Sequence, residues 1–188
     1  MEVLGAQISK IYLLDYFVQE ERNDNRISQR IHEFLLSKGI NSQILTCDTC
    51  VQLFFNLGWI ARECNGSPII IHFHGHANET GIGNNVRRGL NRISLDWDIL
   101  RYYLSIINMR SNGRLILNMM NPCHGCSINN VVTDPPSYYH VFGTHEVQSR
   151  AVAEHCIQLY RLVISRINSF EEAFQYMNGL CDEIYHIH

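Results

Sequence analysis

Two short segments of this chain carry the residues best suited to proton transfer and nucleophilic attack. In the first, Pro68-Ile69-Ile70-Ile71-His72-Phe73-His74-Gly75-His76-Ala77, a β-branched run breaks into three histidines at alternate positions. In the second, Leu115-Ile116-Leu117 leads toward Asn121-Pro122-Cys123-His124-Gly125-Cys126. Imidazole exchanges protons near neutral pH. A thiol attacks only as thiolate, which a neighbouring imidazole can generate. A strand ending in histidine and glycine holds such groups rigidly at the carboxyl edge of an α/β sheet. The two segments therefore predict a Cys–His nucleophilic site, built from His76 and Cys123, if the two apolar strands are neighbours. Gly75 beside His76 and Gly125 after Cys123 allow close backbone approach. Backbone amides near Cys123, His76 and Ala77 are then expected to form an oxyanion hole.

Other roles for the same residues stay open. By the period-two rule His72, His74 and His76 share one strand face. His72, inside the strand, reads as a hydrogen-bonded core histidine. His74 either orients His76, lines the substrate cleft or is structural. Cys126 is an alternative nucleophile. Cys47-x-x-Cys50 and Cys123-x-x-Cys126 could together bind structural zinc, and His74, His76 and Cys123 could form a mixed site. Arg87 and Arg88 could read an acidic substrate side chain as a guanidinium fork, or be solvated loop charge. Asp134 could read a basic one, or be a plain turn residue before Pro135-Pro136. Cys64, Cys156 and Cys181 read as ordinary thiols, and His186 and His188 as an exposed, unstructured tail.

The elements that must position these residues follow from periodicity. Gln7 to Val18 reads as a strand buried on both faces, and Ser42 to Thr46 as a second. Asn23-Asp24-Asn25 offers a cap for a helix through Ile27, Ile31, Phe34 and Leu35 that ends at Gly39. Asp48 is expected to cap a helix through Val51, Phe54, Phe55 and Ile60. Gly81 to Ile93 reads as a glycine-rich hairpin or loop, and Ser94 as the cap of a helix whose apolar face is Trp97, Leu100, Leu104 and Ile107. Ser111-Asn112-Gly113 turns into the Leu115 strand, and Asn129 to Ser137 reads as an exposed loop. Tyr138 to Phe142 is a fifth strand. A long helix from Gly143-Thr144 follows, with Val152, Cys156, Leu159 and Val163 buried. Ser169-Phe170-Glu171-Glu172 is a capping box for a last helix that stops near Gly179. Alternating strands and helices predict an α/β fold, with a mostly parallel central β-sheet flanked by helices on both faces.

Composition limits the function classes. With 188 residues, 46% hydrophobic and 18% charged, residues 1–188 read as a single folded domain. A net charge of −3 with scattered Lys and Arg argues against direct nucleic-acid or membrane contact. No signal peptide or membrane span is expected, and seven cysteines without an export signal read as reduced thiols in a cytoplasmic setting.

Ile71-His72-Phe73-His74-Gly75-His76 resembles the histidine motif of the CHAT-type caspase-like peptidases, in which a strand ends in a glycine–histidine pair. Leu117-Asn118 followed by Cys123-His124-Gly125 is similar to their strand-to-cysteine motif, and Cys-His-Gly echoes the caspase Cys-Arg-Gly. The likeness continues through Val141-Phe142-Gly143, Ala153, Tyr160, Leu162, Ser169 and Glu172-Ala173, and so extends from about Gln7 to Met177. Three features depart from the family pattern, one of them the second thiol, Cys126, in the cysteine loop. Met119-Met120-Asn121-Pro122 separate the Leu-Asn pair from Cys123, and Ala77 stands where the family has glycine. The resemblance implies a caspase-hemoglobinase fold, a three-layer sandwich of the caspase and separase clan. It also implies a cysteine endopeptidase in which His76 and Cys123 cleave a protein substrate, with no metal or organic cofactor. A regulatory partner protein and a place in bacterial stress or antiviral defence are further implications. The alternatives are a non-catalytic caspase-like scaffold that binds a partner and a zinc-stabilised binding domain.

Overall fold

The apolar runs become strands because their residues are buried on both faces, so neither face needs to alternate with polar residues. The computed structural model describes residues 8–119, 139–143, 149–164, 170–179 and 185–187. In chain order the elements begin with β1 (Lys10–Asp15), α1 (Gln19–Asn25), α2 (Ile27–Ser37), β2 (Ser42–Thr46) and α3 (Cys50–Glu63). Next come β3 (Ile69–His74), β4 (His76–Asn78), β5 (Gly81–Gly83), β6 (Ser94–Asp96) and α4 (Trp97–Arg110). The order ends with β7 (Leu115–Met119), β8 (Tyr139–Gly143), α5 (Ser149–Ile164), α6 (Phe170–Gly179) and β9 (Tyr185–Ile187).

The described strands form a main sheet in the order β2-β1-β3-β7-β8-β9, parallel except for β9, and a small antiparallel sheet β4-β5-β6. Odd-numbered side chains of β3, Ile69, Ile71 and Phe73, pack with Leu53 and Leu57 of α3 and with Leu100 and Leu104 of α4. On the other face Ile70, with Ile11 and Leu13 of β1, packs with Ile31 and Leu35 of α2 and with Leu159 of α5 and Phe174 of α6. The expected α/β class, a mostly parallel sheet covered on both faces, is therefore observed. No helix among the described residues is long and apolar enough to cross a membrane.

Several boundaries differ from expectation. The first strand is confined to Lys10–Asp15, and Asn23-Asp24-Asn25 is the last turn of the polar helix α1, which the apolar periodicity did not signal. Arg26, at φ 49°, makes the corner between α1 and α2. Thr49, not Asp48, caps α3, its hydroxyl accepting from the Gln52 amide at 3.2 Å. Ser94 lies in β6, and Asp96 is the residue before α4. His186, expected in a loose tail, pairs with Phe142 across the β8–β9 ladder. The three-residue strand around it is too short for periodicity to reveal. Ser169 and the 129–137 loop lie outside the described residues.

Candidate active site

β1 and β3 are neighbours, while the chain leaves β1 toward β2 and β3 toward β7. Ligands of open α/β sheets bind at the carboxyl ends of strands that diverge in this way. Asp15 and His74 are register partners at that edge. Beyond His74 the chain breaks at Gly75, where an added Cβ would lie 2.1 Å from the buried Tyr16 ring. The three histidines therefore do not share one face: β3 ends at His74, and His76 opens β4 in the second sheet.

His76 is half-buried. Its Nε2 lies 2.8 Å from Glu21 Oε1, and its ring meets the Phe17 ring edge-on, 5.1 Å between centroids and 89° between planes. It lines a cleft of about 300 Å³ with Ala77, Thr80, Arg87, Arg92 and Asp96. Asn84 holds the loop on that wall, its side chain donating to the Asn91 carbonyl and accepting from the Ile93 amide at 2.6 and 3.0 Å. Neither Arg87 nor Arg92 has an ion-pair partner among the described residues. Arg88 turns to a separate cleft, of about 730 Å³, with Phe17, Val18 and Asp48. The two arginines thus line different clefts.

His74 is placed differently from the role expected of it. It is fully buried, and its Nδ1 lies 2.5 Å from the Ser28 hydroxyl, which donates to Asp15 Oδ2 at 2.5 Å. It therefore neither orients His76 nor lines the cleft. Burial pushes its pKa down to about 3. Burial raises that of Asp15, against the lowering effect of the Ser28 bond and of Arg22. His72 is a core histidine, as expected. It is fully buried, with Cys156 Sγ 3.4 Å from Nε2 and the Tyr160 hydroxyl 3.2 Å from Nδ1. Burial, and secondarily His74 beside it, hold its pKa well below the usual histidine range.

Cys123, Gly125, Cys126 and Asp134 lie outside the described residues. What is described is the strand that leads to them. β7 runs parallel beside β3 in the register Ile69↔Leu115 to His72↔Asn118. Cys47 is buried and accepts from the Asn56 amide at 3.3 Å, and burial pushes its pKa up to about 12. Cys50 opens α3, its thiol against the Arg92 and Ser94 carbonyls at 3.6 and 3.7 Å. Among the described residues no three His, Cys, Asp or Glu side chains converge to hold a metal ion.

Glu21, Asp15 and Ser28 were missed from the sequence. An acidic residue closing an apolar strand is a usable signal for Asp15. Glu21 had none, because it stands beside Glu20 in a polar stretch. Comparison of the chain with protein-family models and with curated proteins finds no match to either.

Proposed function

We propose that the chain is a caspase-like cysteine endopeptidase, with Cys123 as nucleophile and His76 as general acid/base. The observation that carries the reading is the parallel, side-by-side pairing of β3 and β7, since the strand that precedes His76 and the strand that precedes Cys123 in the sequence end at the same edge of the sheet. The half-buried His76 on the wall of an open cleft supports it, because a general base must reach both solvent and substrate. In the proposed reaction His76 takes the thiol proton and Cys123 Sγ attacks the scissile carbonyl carbon. Backbone amides near Cys123 and His76–Ala77 hold the resulting oxyanion. The C–N bond breaks as His76 returns the proton to the leaving amine. Water, deprotonated by His76, then hydrolyses the thioester and restores the thiol. Arg87, on the same cleft wall, is the residue proposed to meet an acidic side chain of the substrate.

The proposed setting is cytoplasmic, in a bacterial stress or antiviral defence system, with a protein substrate and a regulatory partner. The test counts new protein N-termini in a host-cell lysate incubated with the wild-type chain or with Cys123→Ala, His76→Ala or Cys126→Ala. Cleavage lost with Cys123 and His76 but kept without Cys126 is the expected pattern. Cleavage lost only with Cys126 would move the nucleophile. No cleavage by the wild type would favour a scaffold, and stoichiometric zinc in the purified protein a zinc-stabilised domain.

A further inference from the structure

We infer that Glu21 is the positioning residue of this site: its carboxylate fixes the His76 ring with Nδ1 free to take a proton and supplies a negative charge to the ring once it is protonated. The inference rests on the Cys–His reading above and adds to it a third residue, from an element that reading did not use. An ionised carboxylate only accepts hydrogen bonds, so the 2.8 Å contact from Glu21 Oε1 requires the hydrogen on Nε2. The neutral ring then keeps its lone pair on Nδ1. When the thiol proton moves there, the ring becomes an imidazolium facing Glu21, as the carboxylate of a catalytic triad faces its histidine.

Three observations make the contact more than a passing surface pair. The Phe17 ring packs edge-on against the imidazole and limits its rotation. Glu21 Oε2 is buried and has no hydrogen-bond partner among the described residues, so His76 is the group that answers this carboxylate. The helix that carries Glu21 is itself anchored, because Arg22 donates to the Phe17 carbonyl at 2.6 Å and pairs with Asp48, two residues before α3. Glu20, its neighbour in sequence, points to solvent.

The test needs no peptide substrate. The rate of Cys123 alkylation by iodoacetamide at pH 7 is followed by mass spectrometry in the wild type, His76→Ala, Glu21→Gln and Glu21→Leu. Ring nitrogen NMR shifts report the His76 tautomer in the same proteins. Glu21→Leu is expected to slow alkylation about tenfold, the size of one lost charge-assisted hydrogen bond partly open to solvent, and to release the Nε2–H tautomer. Glu21→Gln keeps shape and an acceptor, so it should retain the tautomer yet still slow alkylation. If His76→Ala alkylates at the wild-type rate, the Cys–His reading itself fails. If His76→Ala is slow while both Glu21 variants match the wild type, the dyad stands and the role given to Glu21 is wrong.

Discussion

A methyl group added at Gly75 would overlap three atoms of the Tyr16 ring, the nearest at 2.1 Å. That ring is fully buried, and the Tyr16 amide is tied to the His74 carbonyl at 2.8 Å, so the ring has little freedom to withdraw. The chain at Gly75 must yield instead, and His76 is the next residue. Gly75→Ala is expected to cost about 2–3 kcal/mol, the upper range for overpacking a buried site. A urea melt gives the loss, and NMR contacts between the His76 and Phe17 rings report whether the histidine has moved. Stability within about 0.5 kcal/mol of the parent, with the ring contact intact, would mean that Tyr16 is free to give way. Gly75 was legible as a point of close approach because it stands between two histidines at a strand end. Its partner Tyr16 and the carboxylate of Glu21 were not, since contacts across a sheet edge leave no pattern in either segment alone.

Among the elements, those with a strong apolar period were readable: β3, β7 and the buried face Trp97, Leu100, Leu104 and Ile107 of α4 all occur where expected. α1 and β9 were not, one because Gln19–Asn25 has no apolar face, the other because three residues are too few to show alternation. Cap chemistry misled at Asp48 and at Ser94 for one reason: neighbouring Ser, Thr and Asp residues all fit a cap, and only backbone geometry selects among them. Thr49 is extended, at φ −142° and ψ 159°, and accepts from the Gln52 amide. Thr49→Ala should therefore cost about 1 kcal/mol. Ser94→Ala, in β6 and exposed, should stay within about 0.5 kcal/mol of the parent. Denaturant titration of the two variants separates the cases, and equal losses would return Ser94 to a capping role.

Across the whole molecule, the sheet divides the polar residues of the histidine segment between two environments. His76 lies on the open cleft, while His72 and His74 enter the layer between the sheet and helices α2 and α5. Burial keeps those two imidazoles neutral in the native state, His74 down to about 3. In the unfolded chain each would titrate near 6.5. Their contribution to stability is therefore fully present above about pH 6.5 and is lost as pH falls, because the unfolded state binds protons that the native state refuses. Each such histidine adds a slope approaching about 1.4 kcal/mol per pH unit below that point. Asp15 acts with the opposite sign. Its raised pKa lets the native state hold a proton above the ordinary carboxylate range, which offsets part of the loss toward the acidic end. The measurement is unfolding free energy in urea at pH 7.5, 6.5 and 5.5, on the wild type and on His74→Gln, which retains an amide to meet Ser28. The variant's slope below pH 6.5 should be shallower by about one proton, with His72 and the partly buried His155 contributing to what remains in the same sense. An unchanged slope would mean that His74 takes up its proton in place. The Asp15–Ser28–His74 line would then be a solvated part of the site and not a piece of its foundation.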